Sequence, residues 1–196
     1  MSGAAADREL IADMASRVFA EGCTPAAFEH CERGEWPGDL WEGLERSGLA
    51  AAADSGLALA DLAAILRVHG ACSVPAPLPE IFLAARMITA AGLPAQAGPL
   101  SVGPVLPDAA LKLRRTARGH AVVNGRLRRL PWARHAQALA VLAESGEGLH
   151  TVVIAPPRGI VHGWNVAREP RDDLVLDDHP VADELVGPAG LGMSVE

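Results

Sequence analysis

Apolar residues recur every three or four positions through the first half of the chain, the spacing that places side chains on one face of an α-helix. The pattern predicts four helices, and glycines near their ends supply stop signals. They are expected at residues 7–20, 37–47, 57–68 and 79–91. The side chains predicted to face the core are Leu10, Ile11, Met14, Val18, Phe19, Leu40, Trp41, Leu44, Leu59, Leu62, Ile65, Leu66, Ile81, Phe82, Ala85 and Ile88.

The second half of the chain changes to short runs in which apolar and polar residues alternate, which is typical of β-strands. Strands are expected at residues 111–114, 121–123, 126–130, 138–143, 151–155, 160–166 and 174–176. Asn124-Gly125 predicts a tight hairpin turn between two of them. Short strands at this close spacing favour an antiparallel sheet or barrel.

Together the two patterns predict an α+β protein with two domains. An all-helical N-terminal domain is expected over residues 1–95, followed by a small antiparallel β-sheet or barrel domain over residues 96–190. The glycine-rich stretch from Gly187 to Gly192 predicts a flexible end to the chain, and residues 191–196 are assigned to a tail.

Charge is distributed unevenly along the 196 residues, whose formal net charge is -7. Residues 1–50 hold ten acidic residues against four arginines, whereas residues 111–135 hold eight basic residues and no acid. An acidic chain with one basic segment is a poor candidate for nucleic-acid binding. The basic segment either meets a phosphorylated small molecule or an acidic partner, or is a solvated sheet face offset by acids elsewhere in the fold.

Several function classes leave no signature in the sequence. No apolar run approaches the ~20 residues of a membrane helix, and the N-terminus lacks the basic start and apolar core of a signal peptide. Three cysteines cannot supply a disulfide framework and suit a reducing cytoplasm, where we expect the protein to reside. Paired metal ligands, a serine-hydrolase elbow and a phosphate-binding glycine loop are all missing, so we assign no metal site and no catalytic residue.

Several segments match, in order along the chain, weak motifs of one enzyme family. In the first half, residues 39–49, 56–66 and 74–78 match a leader helix, a second helix preceded by Gly-Leu, and a P-x-P connector. In the second half, Val122-Val-Asn-Gly125 matches an x-L-N/S-G turn, and later matches are at residues 126–137, 149–156 and 174–181. From about residue 7 to 190 the chain therefore resembles the acyl-CoA dehydrogenases, flavoenzymes with an N-terminal helical domain, a middle β domain and a C-terminal helical domain.

The resemblance implies a cofactor site in the β domain, although the residues there depart from the family pattern. Residues 100–107 correspond to a T-E-P-x-x-G-S segment that holds flavin and acyl-CoA, but they keep only the strand and a proline. Aligned from Gly125, Arg129 and Pro131 occupy the aromatic and hydroxyl positions of the flavin-facing W-I-T/S-N-G strand. Because proline has no hydroxyl to donate, Trp132 is expected to stack on the flavin ring instead. The cofactor-binding residues implied are Val102, Gly103, Arg126, Arg128, Arg129, Pro131 and Trp132.

In function, the resemblance implies FAD-dependent α,β-dehydrogenation of an acyl-CoA, in which a glutamate removes the α-proton and flavin accepts the hydride. The family's glutamate lies in the C-terminal domain, and the sequence ends where that domain would begin. We therefore expect a subunit that shares an incomplete FAD site with a larger acyl-CoA dehydrogenase-like subunit, or that associates with itself. The alternative is a non-catalytic scaffold, or an acyl-CoA- or flavin-binding subunit, with no flavin of its own.

Overall fold

The computed structural model describes residues 3–103 and 111–190, and five α-helices form its first half. They are α1 (Gly3–Gly22), α2 (Pro25–Glu32), α3 (Gly38–Arg46), α4 (Leu59–Ala71) and α5 (Leu78–Ala90), with a 3-10 helix at Leu49–Asp54. The four predicted helices correspond to α1, α3, α4 and α5. Among the described residues, no helix is long and apolar enough to cross a membrane.

The sequence pattern missed α2, the shortest of the helices. It begins at Pro25, directly after Thr24, whose hydroxyl accepts a hydrogen bond from the backbone N of Ala27 at 3.3 Å. Threonine at the N-cap and proline at the first helical position are both favourable, and this pair is the local signal for the helix. Its few apolar residues gave no helical period to detect.

Most of the predicted helical core is buried, but Leu10 and Leu59 are 65% and 67% exposed, so their assignment to the core was wrong. In α1, the fully buried stripe runs through Ala15 and Phe19, which are four residues apart. Leu10 lies off this stripe and faces solvent.

The second half forms a seven-stranded, mostly antiparallel open sheet. Its strands are β1 (Leu100–Val102), β2 (Leu111–Arg115), β3 (Ala121–Pro131), β4 (Ala138–Ser145), β5 (Gly148–Ile154), β6 (Arg171–Val181) and β7 (Val186–Pro188). The order is β6-β3-β2-β4-β5-β7, and β1 also pairs with β4. The pairs of β1 and β2 with β4 are parallel, and the other pairs are antiparallel. This architecture confirms the predicted α+β fold.

The hairpin predicted at Asn124-Gly125 does not form, because β3 continues through both residues. Its pairing with β6 shifts register between Val123 and Gly125, and Gly125 adopts a φ of 138° that other residues rarely take. Eight residues of β3 pair with residues of β6, some before and some after this irregularity. The long ladder therefore outweighs the local turn preference of the dipeptide.

Two further predictions near the C-terminal end of the sheet were wrong. Residues 160–166 are not a strand and make only isolated bridges at Val161 and Trp164. Gly187, assigned to a flexible end, lies in β7 and pairs with Thr151 of β5. A Cβ at Gly187 would come within 2.5 Å of the carbonyl oxygen of Ala91, so glycine allows β7 to approach the end of α5 closely. Residues 191–196 lie outside the described residues.

An apolar core lies on each face of the sheet. On one face, residues of β1, β4 and β5 join the core of the helices. Helix α5 contributes buried residues along most of its length to this core. On the other face, the sheet builds a separate core from its own strands; its fully buried members include Val123, Leu130, Leu139, Val141 and Val152. The helices and the sheet are thus fused through one shared apolar layer.

A buried ion pair joins the turn after β3 to the start of β6. The fully buried Asp172 carboxylate accepts hydrogen bonds from the backbone N of Arg134 at 2.9 Å and from its Nε at 3.0 Å. The guanidinium of Arg134 also donates to the Gly163 carbonyl at 2.7 Å and lies over the Trp164 ring, 4.7 Å from its centroid. The pair therefore fixes the 3-10 turn Ala133–His135 against the loop that precedes β6.

We expect Asp172→Ala to lower the free energy of unfolding by about 3–5 kcal/mol, because it leaves the Arg134 charge buried without its partner. Asp173→Ala is the matched control: Asp173 is half-exposed, and losing its contacts is expected to cost about 1 kcal/mol or less. Urea unfolding measures both. Equal losses in the two variants would contradict a special role for the buried pair.

Candidate functional site

Most basic side chains of β2 and β3 are paired with acids on neighbouring parts of the sheet. The pairs are Lys112–Glu144, Arg114–Asp178 at 2.5 Å, Arg115–Asp183 at 2.8 Å and Arg128–Asp173 at 3.8 Å. Their side chains are substantially exposed, so each pair contributes little to stability. They nevertheless neutralise the basic segment, as the solvated-face interpretation requires.

Arg126 differs from these residues. It is exposed on β3, and no acid is paired with it among the residues that the structure describes. Leu127 next to it is buried, and Arg128 beyond is exposed, so the alternation places the two arginines on the outer face of β3. Of the basic residues assigned to a cofactor, Arg126 and Arg129 are exposed, and no acid is paired with either side chain among the described residues.

The end of β3 is irregular at the positions aligned with the flavin-facing strand. Arg129 adopts a φ of 57°, and its backbone N donates a hydrogen bond to the Asp173 carboxylate at 2.8 Å. The pairing of β3 with β6 shifts register between Leu127 and Leu130. The carbonyl of Pro131 accepts a hydrogen bond from the Ser101 hydroxyl of β1. The backbone groups at these positions are therefore engaged in hydrogen bonds within the chain's own sheet.

Trp132 is turned into the molecule. Its backbone φ is 54°, and its side chain is only 2% exposed. The ring meets Trp36 edge-on at 6.0 Å between centroids and lies 6.2 Å from the His135 ring, while Trp36 stacks at a tilt on Trp41 at 5.2 Å. We call Trp36, Trp41, Trp132 and His135 the aromatic junction, because they join the helices to the sheet.

His135 strengthens the same junction through a polar contact. Its Nε2 lies 3.1 Å from the carbonyl oxygen of Gly34, in the turn after α2. Burial lowers the pKa of His135, and the hydrogen bond to Gly34 only partly opposes this effect. The ring is therefore neutral at physiological pH and serves as a contact between the two halves.

Val102 and Gly103 lie at the end of β1, between the two cores. Val102 is half-buried against the helical core, and the backbone N of Gly103 donates to the Ala140 carbonyl at 3.1 Å. A Cβ at Gly103 would lie 3.0 Å from Val141 and 3.1 Å from Leu127, so the residue fits a tight space. The rest of the segment that corresponds to the T-E-P-x-x-G-S motif, residues 104–107, lies outside the described residues.

Together, these positions do not fit a flavin held by this chain alone. The aromatic side chain expected to stack on the ring is buried in the aromatic junction, and the neighbouring backbone groups bond within the sheet. Of the seven positions, the exposed side chains are those of Arg126, Arg128 and Arg129, and Arg128 is paired with Asp173. The assignment of the seven residues to a cofactor stays a prediction.

Sequence reasoning missed one carboxyl with unusual surroundings. Glu80 lies in the first turn of α5, and burial raises its pKa, although the nearby Arg171 partly opposes the shift. An acid in the first turn is common because it complements the helix dipole, so the sequence carried no distinguishing signal. It is the one carboxyl among the described residues whose pKa is clearly raised, which makes it a better proton acceptor than an exposed acid.

The surface of the described residues has two notable concave regions. A cavity of about 340 Å³ at the junction of the two halves is lined in part by Cys31, His69 and Glu169. A cleft of about 780 Å³ lies among α1, α2 and α3. Within residues 3–103 and 111–190, no cluster of His, Cys, Asp and Glu could hold a metal ion.

Comparison with known proteins supports the resemblance through structure rather than sequence. No protein-family model matches the chain, and no curated protein matches it by sequence. The ChsE4–ChsE5 complex from Mycobacterium tuberculosis superposes with a TM-score of 0.75 at 16% identity, covering 97% of this chain and 58% of that chain. A variant of the Tcur3481–Tcur3483 steroid ACAD gives a TM-score of 0.77 at 21% identity, covering 94% of this chain and 58% of that one.

An acyl-CoA dehydrogenase complexed with FAD from Bacillus anthracis gives a TM-score of 0.71 at 16% identity, covering 97% of this chain and 39% of that chain. The chain therefore spans well under two thirds of the proteins that it resembles. At these identities the similarity establishes a shared architecture. The chain has the fold of the N-terminal helical and middle β domains of the acyl-CoA dehydrogenases.

Proposed function

We propose that this chain is an acyl-CoA dehydrogenase-like subunit that contributes to a flavin-dependent acyl-CoA site only within an assembly. The observation that carries the proposal is the match of nearly the whole chain to this fold. In addition, Trp132 at the end of β3 is buried within the chain and is not available to a flavin. Two of the similar structures are named as pairs of different subunits. A partner of that kind would supply the flavin contacts that this chain lacks.

In this proposal the chain supplies walls of the site rather than its reactive groups. The helices line the acyl side, and the exposed arginines of β3 offer positive charge to a diphosphate of FAD or CoA. The partner supplies the glutamate base that the family carries in its C-terminal domain. The reaction is α,β-dehydrogenation of an acyl thioester.

The second candidate is a non-catalytic scaffold with no flavin of its own, and one observation favours it. Trp132 is buried in the aromatic junction, where it stabilises the contact between the helices and the sheet. The number of flavins per subunit in the purified assembly, measured by flavin absorbance, separates the two candidates. If the chain is a scaffold, the number of flavins equals the number of sites on the partner subunits. Mutations in β3 then leave this flavin content unchanged.

We expect the chain to self-associate or to purify with a larger subunit. Leu10 and Leu59 on the helices and Leu83 on α5 are more than half exposed, and exposed apolar surface often marks an interface. Light scattering over a dilution series measures the mass. A single monomeric mass at every concentration, with no bound partner, would contradict the prediction.

We expect Arg126→Glu combined with Arg128→Glu to weaken retention of FAD or CoA by about tenfold or more at low salt, because each lost arginine–phosphate contact is charge-assisted. Equilibrium dialysis of the purified assembly measures retention. The matched control is Arg118→Glu with Arg158→Glu, which makes the same charge change at exposed positions away from the outer face of β3. Equal retention in the two double variants would show that the β3 arginines are only solvated.

We expect residues 1–196 by themselves not to dehydrogenate acyl-CoA, because the end of β3 packs within the chain and leaves the flavin contacts incomplete. Anaerobic mixing with FAD and a panel of acyl-CoAs measures flavin bleaching. Rapid bleaching would contradict the prediction. The Glu80→Gln variant then identifies the source, because bleaching that disappears in it would place the base on α5.

A further inference from the structure

Helices α1 and α4 pack side by side and run in the same direction. Near their starts, Arg8 Nε donates to Asp61 Oδ1 at 3.1 Å. Near their ends, the rings of Phe19 and His69 meet edge-on with centroids 6.0 Å apart. Contacts at both ends fix the register of one helix on the other, so their C-terminal ends lie next to each other.

A cysteine directly follows each of these ends. The backbone N of Cys23 donates to the Phe19 carbonyl at 2.8 Å, and that of Cys72 donates to the Val68 carbonyl at 3.0 Å, so both residues continue the helical hydrogen bonding. Cys23 is four residues after Phe19, and Cys72 is three after His69, which are the spacings of neighbours on one helix face. These spacings place both cysteines one turn beyond the ring contact, on the side where the two helices meet.

The surroundings of the two thiols agree with this placement. Both are free cysteines, both are half-buried, and both pack against the helical core. Burial raises the pKa of Cys23 to about 11, and proximity to Cys72 adds to the shift. Cys31, in α2, differs: burial also raises its pKa to about 11, but the charges that add to the effect are those of Glu169 and Glu32.

We propose that Cys23 and Cys72 are a redox pair that closes to a disulfide linking the end of α1 to the end of α4. The oxidant is a small-molecule disulfide such as oxidised glutathione. One cysteine thiolate attacks it, releasing one thiol and forming a mixed disulfide. The second thiolate then displaces the other thiol, so two protein thiols are oxidised and one external disulfide becomes two thiols.

The position of the pair gives the bond a structural consequence. Cys72 directly follows α4 and precedes the proline-rich connector that leads to α5. A disulfide would hold this connector against α1 and would close the chain between residues 23 and 72. The raised pKa of Cys23 keeps the thiolate scarce at neutral pH, so closure is expected to accelerate as the pH rises.

The test treats the folded full-length chain with oxidised glutathione in a mildly alkaline buffer. We expect the intact mass to fall by two hydrogen atoms, peptide mapping to join Cys23 to Cys72, and the melting temperature to rise by about 5–10 °C until a reductant is added. The Cys31→Ser variant keeps all three results. Cys23→Ser instead leaves a glutathione adduct on Cys72 with no internal link.

Three results would overturn the proposal. They are glutathione adducts at Cys23 and Cys72 without a link between them, a link that includes Cys31, and absence of reaction in the folded chain under conditions that oxidise the unfolded chain. Because the decisive measurement uses the unaltered sequence, a variant that folds poorly does not affect the conclusion.

Discussion

The Asp172–Arg134 ion pair is the interaction on which the junction between helices and sheet depends. A fully buried carboxylate is tolerated only when donors satisfy it. Arg134 supplies these donors from both its backbone and its guanidinium, and the backbone N of Gly163 adds another at 3.3 Å. Because the backbone of Arg134 takes part, the pair fixes the path of the chain immediately after Trp132 as well as the position of a side chain.

That path determines what the end of β3 can do. The chain leaves β3 with Trp132 directed inward, where it meets Trp36, and His135 reaches the carbonyl of Gly34 on the helical side. The same residues would have to face outward to hold a planar cofactor. Stability of the junction and an autonomous cofactor site are therefore competing uses of one short segment.

The architecture and a cofactor site depend on different residues of the chain. The helical and β architecture of the acyl-CoA dehydrogenases is retained at 16–21% identity to the two complexes, because layers of helices on a sheet need only apolar residues at the right period. A cofactor site needs particular side chains at particular backbone angles. The departures from the aligned family pattern at Arg129 and Pro131 therefore leave the layers intact.

The sequence by itself determined the four longer helices, most of the strands and the alternation that exposes Arg126 and Arg128, because each follows from local apolar periodicity. Only the tertiary structure decided the rest. The long β3–β6 ladder overrode the turn preference of Asn124-Gly125, since pairing along a strand outweighs a dipeptide. Trp132 turned inward because Asp172, forty residues later in the chain, holds the turn that follows it. Contacts between residues so far apart in the chain produce no periodic pattern in the sequence. The orientation of the side chains at the candidate site therefore could not be predicted from the sequence.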